Sequence, residues 1–336
     1  MKLFSGAVLG LETSCDETSA AVLVGSQLLS NVISSQADIH EKWGGVVPEA
    51  AARAHVEAVL PVIDQALSDA SVQLADISAV AVTNRPGLVG ALSVGVSAAK
   101  ALAFVNRLPL IGVHHLEGHL LSPFVNGNAV PFPHMALIAS GGHTELCLVA
   151  APGKYEIVGQ TIDDAAGEAF DKTARLLGLG YPGGRAIQEA AQGGNPTRYS
   201  LPRGLSGDTL NFSFSGLKTA VLRLVEKEGG QLDVRDAAAS IQEAIVSVLA
   251  DRTALAAETC ATEGITLVGG VAANLALRAR LQHKAGQLGL PFVTPPLDLC
   301  TDNAGMISLA GSRRLALGQR DGLDLETLPN APLPTE

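Results

Sequence analysis

Cysteine is scarce in this sequence: Cys15, Cys147, Cys260 and Cys300 lie far apart, with no Cys-x-x-Cys pair. That spacing excludes a zinc ribbon and a disulfide framework and points to a reducing compartment. Long apolar runs are missing as well, none reaching the roughly 18 residues of a membrane span. The opening residues meet Glu12 and Asp16 before a secretory core can form, so a cytoplasmic protein without a membrane partner is expected. There is no surplus of positive charge either. With 23 Lys and Arg against 33 Asp and Glu, the net charge of −10 excludes coating nucleic acid by bulk attraction and leaves only local basic surface for that purpose.

What is present is a foldable chain, 47% hydrophobic and 17% charged, with 36 glycines gathered in short clusters among 336 residues. Ala7–Leu11 and Ala20–Val24 read as strands joined by the polar turn from Glu12 to Thr18. The plan recurs at Met135–Ala139 and Glu145–Val149 around Ser140-Gly141-Gly142-His143-Thr144. Each hairpin is followed by a third strand, by helical segments, then by an apolar strand entering a Gly-rich turn and a helix. Those turns are Pro86-Gly87-Leu88-Val89-Gly90 and Gly269-Gly270-Val271-Ala272-Ala273-Asn274. The chain therefore predicts two copies of βββαβαβ facing each other across a cleft. Pro48 suits the first position of a helix running to Ala70, Val234–Thr262 is periodic at helical spacing, and the tail after Gly318, with three prolines, is expected to fray.

Two constellations point to chemistry. His115 and His119 are four apart, so one helix face presents both, either to a metal ion or as core and capping side chains. Glu117 follows His115 by two positions, about 200° round the helix, which disfavours the zincin arrangement of a metalloprotease. Asp302, after a strand and at a helix N-cap, is the best source of a third ligand. The Ser140–Gly142 and Gly269–Gly270 turns offer backbone N–H groups to an anion and are expected to face one nucleotide from opposite lobes. Asp163–Thr173 lays Gly167, Glu168 and Asp171 along a helix, either as a carboxylate row for ribose hydroxyls or as a solvated face. From Phe170 to Arg223, seven basic residues oppose three acidic ones, a local +4 that reads either as a surface for RNA phosphates, with Arg198 and Arg203 as contacts, or as scattered surface charge.

Taken in order, Glu12–Thr18, Gly44–Glu49, Pro86–Gly90, His114–His119, Ser140–Thr144, Asp163–Thr173, Tyr181–Gly184, Phe212–Thr219, Gly269–Asn274 and Cys300–Asn303 resemble the motifs of the bacterial tRNA adenosine-37 N6-threonylcarbamoyltransferase family, formerly described as O-sialoglycoprotein endopeptidases. The resemblance runs from about Val8 to Ala310. It implies an α/β, two-lobed actin-like or Hsp70-like ATPase fold built from two duplicated ribonuclease-H-like units. An N-terminal lobe would span 1–130 and a C-terminal lobe 131–325, with the final helix over 302–318 able to return to the first lobe and 326–336 a tail. It further implies Fe2+ at His115, His119 and Asp302, with Zn2+ or Mg2+ as substitutes in vitro. ATP, ADP or threonylcarbamoyl-adenylate would lie on Ile138, Ala139, Ser140, Gly141, Gly142, Asp171, Gly184 and Asn274. The implied reaction moves the threonylcarbamoyl group to N6 of adenosine 37 in tRNAs reading codons that begin with A, releasing AMP, with Asp16 and Glu17 as candidates for the base. The implied partners are tRNA, an inactive paralogue forming a heterodimer, a small P-loop ATPase and a synthase that supplies the adenylate. The chain departs from the family pattern at Arg85, where Gly is usual, at Arg185, where Pro is often found, and at Ala304-Gly305, where the order is usually reversed.

Overall fold

The computed structural model describes residues 1–43 and 45–334; Gly44 of the Gly44–Glu49 motif lies outside the described residues. The chain divides into two compact units, one formed by Met1–Ala129 together with the chain from Asp302 on, the other by Val130–Thr301. The second unit thus ends at Thr301 rather than near 325, because the last helix packs in the first unit.

In the first unit, β1 (Ala7–Glu12), β2 (Glu17–Val24) and β3 (Gln27–Ser35) form an antiparallel meander. After α1 (Ala37–Glu41) and α2 (Pro48–Asp69, with Pro48 opening it), β4 (Ile77–Arg85) pairs parallel with β1. Helix α3 (Val89–Asn106) then leads to β5 (Leu110–His114), parallel to β4, and the chain enters α4 (His115–Leu121). The sheet order is β3-β2-β1-β4-β5.

The second unit repeats this plan. It runs through β6 (His134–Ala139), β7 (Thr144–Ala151), β8 (Lys154–Gln160), α5 (Ala166–Leu176), α6 (Gly183–Ala190), α7 (Ser215–Glu228), α8 (Val234–Thr259), β9 (Ile265–Val268), α9 (Leu275–Leu288) and β10 (Phe292–Val293). Its sheet order, β10-β9-β6-β7-β8, and its strand directions mirror those of the first unit, so the duplication read from the hairpins holds.

Central strands are mostly apolar because both faces are covered. Leu9, Leu11, Val80 and Val82 are wholly buried among α2 and α3 on one side of the first sheet. Helix α10 (Ala304–Ala316) packs on β1, β2 and β4. A Cβ on Gly10 would lie 2.6 Å from the Ala304 carbonyl oxygen, so this glycine is what allows the start of α10 to approach the strand. Among the described residues one helix, α3, is long and apolar enough to cross a membrane by length and composition. Its Ala91, Leu92, Val96, Ala99 and Ala103 are buried in the core of the first unit.

The tail does not fray over its described residues. Asp321 bridges to Leu110, its N–H donating to the Leu110 carbonyl at 2.8 Å, and its carboxylate accepts the Gly112 N–H at 2.7 Å. Farther on, the Asn84 amide donates to the Glu326 carbonyl, Gly87 N–H to that of Pro329, and His114 Nε2 to that of Ala331. The edge strand β5 and the Asn84–Gly87 segment carry backbone groups that need partners, and the tail supplies them.

Candidate functional site

The hairpin tip after β1 and the start of α4 belong to the same unit as Asp302, and together they make a compact polar centre. His115 and His119, one turn apart on α4, set their rings edge to face with centroids 4.7 Å apart. Asp302 Oδ1 lies 3.4 Å from His115 Nε2 and 3.1 Å from His119 Nε2. The three ligand atoms fall within 4.8 Å of one another, which fits a cation held by two imidazoles and a carboxylate. Asp302 is not the helix cap that its position suggested: Asn303 caps α10 by accepting the Met306 N–H, leaving the Asp302 carboxylate to the histidines.

Charge in this centre is balanced internally. Burial opposes ionisation of Asp302, but His115 and His119 outweigh it and hold the carboxyl well below its usual range. Burial likewise opposes a proton on His115, yet Asp302 and Glu12 outweigh it and push the ring well above its ordinary value. His119 goes the other way, burial and the neighbouring His115 keeping it low. A cation arriving here would displace the proton on His115.

Sequence reasoning missed Glu12, which is wholly buried and reaches His115 Nδ1 at 3.0 Å. The available signal was a single acidic residue closing an otherwise apolar strand. It also missed His55, whose Nε2 donates to the Cys15 carbonyl at 3.0 Å while Nδ1 accepts the Thr18 hydroxyl at 2.7 Å, fixing the turn that carries Asp16 and Glu17. Burial, reinforced by Asp16, pushes the Glu17 carboxyl well above the usual carboxylate range. Glu117, wholly buried, faces Arg313 and Arg314 at 3.5 and 3.6 Å and so serves the helix pair rather than the histidines.

The expected nucleotide residues all lie in the second unit, so the two glycine turns do not come from opposite lobes. They follow β6 and β9, which are adjacent parallel strands whose ends emerge side by side. Gly269, at φ +91°, would set a Cβ 2.5 Å from the Ala139 carbonyl oxygen, and Gly167 one 2.6 Å from that of Ser140. Those two glycines are required by packing. Gly141, Gly142, Gly184 and Gly270 differ, because a Cβ at each would meet no atom within 4 Å. Their backbone is bare toward open space, which is what a phosphate or sugar approaching peptide N–H groups needs.

Ser140 N–H donates to the His143 carbonyl at 2.8 Å and the Ser140 hydroxyl accepts the His143 N–H at 3.1 Å, closing the tip that follows Ile138 and Ala139. Asp171 accepts the first N–H of α6, that of Gly183, at 2.7 Å and so places Gly184 beside α5. Asn274 caps α9 and donates to Gln242, which commits its side chain to the turn.

The other acidic residues of the Asp163–Thr173 stretch form no row. Asp163 receives the Ser213 and Ser215 hydroxyls and the Phe214 N–H, while Asp164 and Glu168 both pair with Lys172 at 2.8 Å. That pairing, with Arg185 on Glu189, removes two cations from the basic segment. Arg198, stacked on Tyr199, and Arg203 remain exposed. Arg278 is turned inward onto the Ala272 and Pro295 carbonyls and Cys300 Sγ.

Comparison with known proteins agrees with this picture. The family profile described as tRNA N6-adenosine threonylcarbamoyltransferase matches residues 27–309. A protein of that name from Dehalococcoides mccartyi is 52% identical over 323 residues, covering 96% of this chain and 98% of its own. One from Syntrophotalea carbinolica is 51% identical over 331 residues, covering 97% and 96%. Among solved structures, T. kodakarensis HypF superposes with a TM-score of 0.61 at 15% identity, over 93% of this chain and 48% of that one. Component A of the Acidaminococcus fermentans (R)-2-hydroxyglutaryl-CoA dehydratase gives 0.54 at 16% identity, over 92% and 96%. Those likenesses show the fold alone, the duplicated ribonuclease-H-like architecture of actin-like and Hsp70-like ATPases. With half of its residues shared over nearly its whole length, the chain belongs to the tRNA N6-adenosine threonylcarbamoyltransferase family.

Proposed function

We propose that this chain transfers a threonylcarbamoyl group from threonylcarbamoyl-adenylate to N6 of adenosine 37 in tRNA. The observation that carries the reading is the convergence of His115, His119 and Asp302 in a chain whose relatives bear that name. In the reaction N6 attacks the carbonyl carbon of the carbamoyl group, the bond from that carbon to the phosphate oxygen breaks, AMP leaves, and N6 loses a proton. An adenine amino group is a weak nucleophile, so positioning supplies much of the rate. The bare peptide groups at Gly141, Gly142, Gly184 and Gly270 bind and orient the adenylate. Glu17, whose carboxyl burial and Asp16 push above the usual carboxylate range, is the candidate to take the proton from N6, with Asp16 beside it. His115, His119 and Asp302 hold Fe2+, for which Zn2+ can substitute, and the ion when bound supplies positive charge to phosphate and carbonyl oxygens.

Arg198 and Arg203 contact the tRNA backbone. The exposed apolar side chains Val56 and Leu60 on α2 and Phe104 and Val105 on α3 suit an inactive paralogue, with a P-loop ATPase and a separate synthase completing the cytoplasmic system.

The test is reconstitution: purified protein with its partner proteins, the synthase, threonine, bicarbonate, ATP and tRNA, with nucleosides read by mass spectrometry. Threonylcarbamoyladenosine should form with the parent and fall at least a hundredfold with His119→Ala. Its absence with the metal-loaded parent, or its persistence at the parent rate in the variant, overturns the reading.

A further inference from the structure

We propose that Glu12 is a positioning residue that selects which nitrogen of His115 faces the cation. The inference rests on the reading of His115, His119 and Asp302 as a metal centre. Glu12 closes β1 and is wholly buried, and each of its oxygens is committed. Oε1 accepts the Ser14 N–H at 2.5 Å. Oε2 accepts the Thr83 hydroxyl from β4 at 2.6 Å and lies 3.0 Å from His115 Nδ1. An ionised carboxylate can only accept, so Nδ1 must carry a hydrogen toward it, and Nε2, 3.4 Å from Asp302, is the nitrogen left to offer a lone pair to an arriving cation. The Ser14 hydroxyl, 3.1 Å from Nδ1, lies on the same side of the ring.

His119 has no such anchor. Its Nδ1 makes no hydrogen bond among the described residues, so the two imidazoles are unequally held. His115 is oriented from behind by a carboxylate that is itself fixed by two strands; His119 is oriented only from the front, by Asp302. The second contact of Glu12 decides what a neutral replacement does. In Glu12→Gln the amide oxygen is claimed by the Ser14 N–H, so the NH2 group takes the place of Oε2 and points its hydrogens at Nδ1. The ring would then present N–H rather than a lone pair at Nε2.

The experiment compares the parent, Glu12→Gln and Thr83→Val by titration with Co2+ alone, and by 1H and 15N spectra of the histidine rings in the Zn2+-loaded proteins. Expected are a 10- to 100-fold loss of Co2+ affinity in Glu12→Gln, a smaller loss in Thr83→Val, and a strongly downfield Nδ1–H resonance in the parent that disappears in Glu12→Gln. The His119 signals should stay as in the parent, which separates a tautomer change from general loosening. Failure of the parent to bind Co2+ would remove the metal reading and this inference together. A parent that binds, beside a folded Glu12→Gln of equal affinity with its Nδ1–H retained, overturns the inference and leaves the metal reading standing. Should Glu12→Gln not fold, a Thr83→Val variant whose Nδ1–H resonance and Co2+ affinity match the parent overturns it as well.

Discussion

Changing Gly270 or Gly141 to alanine separates what the fold needs from what a ligand needs. Neither position has positive φ, and a Cβ at either meets nothing within 4 Å. In the protein alone the change should therefore be harmless. Removing glycine freedom from the unfolded chain stabilises by about 0.4–1 kcal/mol, which at roughly 2–4 °C per kcal/mol raises Tm by about 1–4 °C. Gly167→Ala is the opposite case, because its Cβ would press on Ser140 O at 2.6 Å and on Gly141 Cα at 2.8 Å. Overpacking against backbone costs about 1–3 kcal/mol, a fall in Tm of roughly 2–12 °C. Nucleotide binding should invert the order of Gly270→Ala and Gly141→Ala relative to stability. The same methyl occupies the space through which a phosphate reaches the peptide N–H groups, and losing one such contact, about 1.4 kcal/mol, is tenfold in Kd. Calorimetry with ADP alongside thermal melting reads both quantities. Two alanine variants that melt like the parent or higher and bind ADP as tightly as the parent would refute the cradle.

Reversing Arg198 and Arg203 to Glu should weaken tRNA binding and reduce the salt slope by about two, with ADP affinity untouched; an unchanged slope places the RNA path elsewhere. His134, whose Nδ1 donates to the Pro131 carbonyl, is lowered by burial to about 4. The unfolded chain then binds the extra proton between pH 6.5 and 4, so stability present above 6.5 is lost as pH falls through that window, roughly 3 kcal/mol in all. His134→Asn should flatten this acid limb in pH-dependent melting, and an unaltered limb counts against the assignment. Asp321→Ala removes the acceptor of the Gly112 N–H and should cost about 1–3 kcal/mol, read by chemical denaturation; parental stability would show this contact of the tail to be idle.

Much of this was legible in the residues. The paired hairpins, the i, i+4 histidines and the open glycine turns are local patterns, and local patterns survive in one dimension. What escaped depended on contacts distant in sequence. Glu12 looked like part of a polar tip, since nothing local reveals that Thr83, 71 positions on, and His115, 103 positions on, converge on it. The two glycine turns were assigned to facing lobes because sequence order hides that β6 and β9 are neighbours. The proline-rich tail was read as frayed because its partners, Asn84, Leu110 and Gly112, are more than two hundred positions away. The basic segment was overcounted because an i, i+4 pair such as Lys172 with Glu168 cancels charge that a sum treats as free.

The insertion of one unit within the other also sets the order in which the molecule can be completed on the ribosome. His119 and Asp302 are 183 positions apart. At on the order of 5–20 residues per second, the two histidines wait roughly ten to forty seconds for their carboxylate. During that interval the continuous segment from Val130 to Thr301 can emerge and close its own core. The first unit meanwhile lacks α10, and the face of β1, β2 and β4 on which that helix packs stays bare. A nascent chain of this protein therefore carries an uncovered apolar sheet and an incomplete cation centre until its last helix arrives. A chain cut before Asp302 should hold a finished second unit and a first unit that lacks both α10 and the carboxylate facing His115 and His119.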